Sequence, residues 1–301
     1  MSDTICEKGM LVCLTIKGFW SAVIKDEQAT NEVAAKYGAN PNVGRYMKKL
    51  LDPKKIPALK KVNQDRSALR QFHYKLTLPW NDDGTRLLPA AMYFDYTSGI
   101  TERTNALNGH YDEFLEALPT LREQAKRDLN GLFREDDWPE AKDLKDRLSI
   151  RTKIFPLADA SDFRCNLGAE HDALIKQEIT ANIYGKLTGG LCEVYTRLHA
   201  CVQDMVERLE GYQVDAQGKV VKTFKDSAVN NLRELIDIVP KLNVMDDPTL
   251  TQIAESLRML VRNDAQKLRD DYVVRGQTVG AGKAIAAQLA KVTEILGGGG
   301  Q

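Results

Sequence analysis

From Tyr184 onward the apolar residues of the chain recur at Tyr184, Leu187, Leu191, Val194, Leu198, Cys201 and Met205. The steps alternate three and four, the spacing of a coiled-coil seam, and Leu174, Ile175 and Ile179 extend the stripe upstream. Glu193, Arg197, Asp204, Glu207 and Arg208 fall between them, as a solvated back face requires. The pattern predicts one helix over 168–212, roughly 65 Å long at about 1.5 Å per residue. Two arrangements satisfy it. The stripe is either the rod of a bundle within one chain or a self-association seam turned toward a second copy.

Before that helix the periodicity changes several times. Residues 9–17 read as a buried strand ended by Gly18, and 20–37 as a helix stopped by Gly38 and Asn40-Pro41. A second helix is expected from Pro57 through Leu59, Val62, Leu69, Phe72 and Leu76. Asn81-Asp82-Asp83-Gly84 separates two short apolar runs and predicts a hairpin. Pro89 suits the first turn of a helix reaching Phe133, with a break near Ser98-Gly99 and a kink or division at Pro119. A shorter charged helix follows over 138–152. Phe163, Cys165 and Leu167 then alternate, so 155–167 is expected as a strand beside 10–16.

After the long helix, Asp215-Ala216-Gln217-Gly218 marks the tip of a small hairpin. Helices are expected over 227–239 and, from the start signal Asp247-Pro248-Thr249, over 250–274. Gly276, Gly280 and Gly282 read as an interruption before a last helix over 284–296, and 297–300 as a flexible tail. The fold class is therefore mainly α: an elongated helical bundle with a long antiparallel helical arm, a small sheet and hairpins. Three domains are expected: 1–167, 168–275 and 276–301.

Composition narrows the class without changing it. With 301 residues, 43% hydrophobic and 28% charged, the chain can bury a real core. Five scattered cysteines contain no C-x-x-C pair, which points to a reducing compartment rather than a disulfide framework. No basic leader precedes the first apolar run, and no stretch approaches the roughly 20 apolar residues that span a bilayer. A cytoplasmic protein without membrane contact is expected.

Charge supplies the strongest functional signal. Lys plus Arg equals Asp plus Glu at 42 each, yet 45–75 holds ten basic residues against two acidic ones. These are Arg45, Lys48, Lys49, Lys54, Lys55, Lys60, Lys61, Arg66, Arg70 and Lys75, with Tyr46, Phe72 and Tyr74 interleaved. Such a segment can neutralise phosphates while its rings stack on bases. It can equally solvate a helix face. A third use is to meet acidic clusters, Glu135-Asp136-Asp137, Asp246-Asp247 or Asp270-Asp271, on the protein's own surface or on another copy.

Catalytic and cofactor signatures are weak. Gly276 to Ala284 resembles a phosphate loop only superficially: Gln277 stands where the first glycine is needed, and Ala284 where Ser or Thr should follow the lysine. Cys192, His199 and Cys201 lack the close spacing of a zinc site. No nucleophile motif is present, so the expectation is no enzyme activity, no cofactor and no metal.

Several short segments carry a family likeness: Leu78-Pro79-Trp80 with Asp83-Gly84 and Leu88-Pro89, Asp137-Trp138-Pro139, Pro156 to Leu167 with Asp162-Phe163, and Ser227 to Leu232. Together they resemble a domain-of-unknown-function family of phage and bacterial proteins over about Gly9 to Leu260. Members are encoded near MoxR-type AAA+ ATPases and proteins with a von Willebrand-type domain resembling cobaltochelatase subunits. The resemblance implies a helical partner or adaptor of such a system, in a bacterial or phage-infected cytoplasm, and carries over no catalytic residues. The expected function is a non-enzymatic, self-associating assembly or adaptor protein. The alternative is nucleic-acid binding through 45–75.

Overall fold

The computed structural model describes residues 6–298 except 159, 164, 166, 167 and 218. In chain order the elements begin with β1 (Gly9–Lys17), β2 (Val23–Lys25), α1 (Glu27–Lys36), β3 (Met47–Lys49) and α2 (Pro57–Leu76). They continue with β4 (Leu78–Pro79), β5 (Thr85–Pro89), α3 (Tyr93–Leu129), α4 (Ala141–Arg147) and β6 (Ser149–Pro156). Then come α5 (Ala169–Glu210), the hairpin β7 (Gln213–Val214) and β8 (Val220–Lys222), α6 (Asp226–Leu242), α7 (Pro248–Leu260), α8 (Ala265–Asp270) and α9 (Tyr272–Gly298). Helix accounts for 68% of the described residues, so the protein is mainly α with a minor antiparallel sheet.

Internal contacts group the chain into two units, neither of them continuous in sequence. A long-helix unit holds residues up to 13, 74–96 and those from 153 onward; a basic unit holds 14–73 and 97–152. This grouping differs from three successive domains, because distant segments pack together.

In the long-helix unit β1 runs antiparallel to β5, with Gly9 opposite Pro89 and Cys13 opposite Thr85, and β4 pairs with the other side of β5. The sheet order is β4-β5-β1-β6. Helix α5 packs against α9, α6 and β4. Its stripe residues Leu187, Leu191, Val194, Leu198 and Met205 are buried there, so one chain already covers this part of the seam. Tyr184, in contrast, is 49% exposed. In the basic unit α2 buries Leu59, Val62 and Leu69, and α3 buries Leu107, Phe114 and Leu118.

Several elements differ from their sequence expectations for identifiable reasons. Residues 20–37 are not one helix. Val23–Lys25, rich in β-branched side chains, pairs with Met47–Lys49, and the helix starts only after Asp26, whose carboxylate caps the Ala29 N–H at 3.0 Å. The strand expected at 155–167 lies earlier, where Ile150, Thr152 and Ile154 alternate, and α4 ends at Arg147 to make way for it. After Pro156 the chain leaves the ladder and makes a tight turn at Ala160–Asp162; Leu167 is outside the described residues.

Neither Ser98-Gly99 nor Pro119 divides α3. A Cβ at Gly99 would lie 2.2 Å from the Phe72 ring, so the glycine there serves close helix approach. The stretch 250–274 is divided into α7, α8 and the start of α9, with Asp264 capping α8. The 276–282 interruption is absent: α9 runs through all three glycines. Gly282 rests on α5, where a Cβ would come within 2.5 Å of Val206 Cγ2.

Candidate interaction face on the basic unit

The ten basic residues of 45–75 meet different fates. Lys48 is turned inward by the alternation of β3, which leaves Met47 and Lys49 outside, and it is only 2% exposed. Its Nζ lies 2.8 Å from Asp26 Oδ2 and 2.7 Å from Asp137 Oδ2, and donates to the Leu132 carbonyl at 2.8 Å. Lys48 is therefore a structural tie and not a surface cation. The Ala29 N–H and then Lys48 hold the Asp26 carboxyl below its usual range. Burial opposes the charge on Lys48, but the bonds to Asp137 and Asp26 outweigh it and its pKa is raised.

Lys61 pairs with Glu113 at 3.6 Å, and Lys75, in the long-helix unit, with Glu234 at 2.6 Å. Arg66 is half-buried over the Phe19 ring, its pKa pulled down by burial and then by Arg70. The remaining six, Arg45, Lys49, Lys54, Lys55, Lys60 and Arg70, are exposed, and no ion pair engages them among the described residues. Lys60, Gln64, Ser67 and Gln71 share one face of α2 around a shallow hollow, with Lys54 on its rim.

Most of the acidic residues singled out in the sequence are engaged within the chain, one of them by the basic segment itself. Glu135 pairs with Arg122 and Lys126, and Asp137 with Lys48. Asp246 pairs with Lys8, while Asp247 caps α7 and accepts the Tyr195 hydroxyl at 2.6 Å. Asp271 caps the first turn of α9 and meets Lys267, and Asp270 accepts from Gln266.

Beside the cations lies a feature that the charge pattern did not reveal. Helix α1 buries Ala29, Thr30 and Ala34, leaving Val33 on the outside, one turn before its cap residue Tyr37. The Tyr46 N–H donates to Thr30 Oγ1 at 3.0 Å and its carbonyl accepts from Asp26 N–H at 3.0 Å, which fixes the return strand against the helix. Val33, Tyr37, Val43, Arg45 and Tyr46 thereby line an open notch of about 300 Å³. Tyr37 is 75% and Val43 76% exposed, and Met47 continues the apolar surface. The readable signal was Val33 and Tyr37 at i, i+4 opposite the buried alanines, an α1 that is apolar on two sides.

Two of the five cysteines lie on α5. Cys192 Sγ lies 3.9 Å from the Thr293 carbonyl, and burial with Asp204 pushes the Cys201 thiol up to about 11, keeping it protonated at neutral pH. Among the described residues no group of three or more His, Cys, Asp or Glu is placed to hold a metal ion, and no helix is long and apolar enough to cross a membrane. By fold, the chain is a mainly α protein with a small antiparallel sheet. No known family, curated protein or solved structure matches it.

Proposed function

We propose that the chain is a non-enzymatic assembly or adaptor protein that contacts protein surfaces, foremost a second copy of itself, through the notch of the basic unit. One observation carries this reading: Val33, Tyr37, Val43, Tyr46 and Met47 are exposed together beside the unpaired Arg45. Single exposed apolar residues are ordinary, but a cluster marks a contact site, and Tyr, Met and Arg are the types that contact surfaces favour. The burial of Leu187 to Met205 within one chain moves the proposed self-contact away from the long-helix seam. The family resemblance adds an AAA+ ATPase or von Willebrand-domain protein as a heterologous partner, in a bacterial or phage-infected cytoplasm.

Light scattering coupled to size exclusion tests the self-contact. The parent is expected at a multiple of 33.7 kDa, and Val43→Asp with Tyr37→Ser near the single-chain value with its helical content unchanged. A parent at the single-chain mass across the concentration range removes self-association. A second reading, nucleic-acid binding, is favoured by the six unpaired cations between Arg45 and Arg70.

A further inference from the structure

Two guanidinium groups of the long-helix unit converge on one carbonyl oxygen. Arg86 Nη2 donates to the Thr77 carbonyl at 3.1 Å, and Arg197 Nη2 donates to the same oxygen at 3.0 Å. Arg86 Nε also bonds Thr77 Oγ1 at 2.7 Å, and Arg197 Nη1 reaches the Lys75 carbonyl at 3.3 Å. Part of this arrangement is a helix cap. Lys75 lies in the last turn of α2, where carbonyls lack intrahelical partners and favour cations.

Capping does not account for the rest. One carbonyl dipole is shared by two full positive charges, and the carboxylates nearby are already divided. Glu193 pairs with Arg197 at 3.0 Å and Glu234 with Lys75 at 2.6 Å. Arg86 has no carboxylate within ion-pair distance among the described residues; it lies over the Tyr74 ring, with its Cζ 4.8 Å from the centroid. Burial and then the neighbouring Arg197 pull the Arg86 pKa down, the mark of a cation short of negative charge. Of the five N–H donors a guanidinium carries, the bonds above use two on Arg86.

These residues line a cavity of about 430 Å³ together with Asn231 and Leu235, so three cations, Lys75, Arg86 and Arg197, face it against two carboxylates, Glu193 and Glu234. We infer that this cavity is a binding site for a small oxyanion, a phosphate or carboxylate group, held by Arg86 and Arg197. An oxyanion supplies the charge the pair lacks and accepts the unused guanidinium donors in the forked geometry they present. Asn231 adds a neutral amide at the rim, and the volume leaves room for a small organic body behind the anionic group. The site is in a different unit from the notch and does not rest on the assembly reading.

Isothermal titration of the full chain with inorganic phosphate, and separately with succinate, tests the site. At least one probe is expected to saturate a single site; which one does so assigns the phosphoryl or the carboxylate source. Arg86→Gln is expected to weaken that probe by roughly tenfold or more, as loss of a charge-assisted bidentate contact does. Glu193→Gln is expected to tighten it, because the competing carboxylate is gone; a purely structural Arg–Glu pair predicts no gain. No heat from either probe overturns the inference, as does an Arg86→Gln variant that folds and binds like the parent. Should Arg86→Gln not fold, Glu193→Gln decides, and unchanged affinity there overturns the site.

Discussion

At Lys48 a sequence that reads as surface charge is spent on the interior. One ammonium pairs with two carboxylates and donates to a carbonyl, and it ties β3 to the N-cap of α1 and to the segment around Leu132. Replacing it by an apolar side chain would leave the partly buried Asp137 without its counter-ion and the buried Asp26 with only Arg134, at 3.7 Å. Lys48→Met is therefore expected to cost about 3–5 kcal/mol, the usual result of removing one member of a buried pair, read from urea unfolding. The pH dependence follows from the shifts. Asp26 is held below 3.8, so its contribution is complete above that value and lost as pH falls through the lower folded pKa. Lys48 is raised above 10.5, so its contribution is complete below that value and lost as pH rises through the folded pKa. Asp26→Asn keeps the capping oxygen but not the charge. Its stability deficit should be flat at neutral pH and shrink as the solution is made more acidic than about pH 4, near the ordinary carboxylate pKa. A deficit that stays constant down to pH 2 would contradict this account.

Helix α9 shows how an element can override its own residues. Three glycines in seven positions disfavour helix, yet α9 is continuous because Gly282 lets it close on α5 at Val206. A Cβ at Gly276 or Gly280 would meet nothing within 4 Å. Gly276→Ala and Gly280→Ala are thus expected to raise stability by about 0.5–1 kcal/mol each, and Gly282→Ala to lower it by about 1–3 kcal/mol through overpacking. Three thermal melts check the set; near-zero effects at Gly276 and Gly280 would favour a linker. The same contrast explains what was legible. The stripe from Leu187 to Met205, the Asn81–Gly84 turn and the Pro57 helix were readable because periodicity and turn chemistry are local. The pairing of β2 with β3, the unbroken α3 at Gly99 and the α9 contact were not, since each depends on a partner distant in sequence. At the candidate face, charge counting found Arg45 to Lys75 but could not tell buried Lys48 from exposed Lys49. The notch needed α1 and the strand after it to be brought together.

For the whole molecule the relevant quantity is which charges remain uncommitted, since the net charge is zero. Glu135, Asp137, Asp246 and Asp271 are each tied to a cation of their own chain, whereas Arg45, Lys49, Lys54, Lys55, Lys60 and Arg70 are tied to none among the described residues. Head-to-tail stacking by opposed patches therefore lacks much of its acidic half, and the self-contact proposed above rests instead on the apolar notch. Salt separates these ideas. At 1 M ionic strength the screening length falls to about 3 Å, which weakens contacts between exposed charges and leaves apolar burial in place. The mass of an assembly built on Val43 and Tyr37 should thus persist in high salt, and one that falls there would return the contact to the charges. The same uncommitted cations make the nucleic-acid reading testable with a labelled single-stranded oligonucleotide. Binding should weaken with a log–log slope of roughly −0.7 per phosphate neutralised. Lys54→Glu with Lys55→Glu and Lys60→Glu should flatten that slope while leaving the mass of the assembly unchanged, and Val43→Asp should do the reverse. If the parent shows no affinity for the oligonucleotide at low salt, the nucleic-acid reading falls, and the notch is left as the proposed contact face.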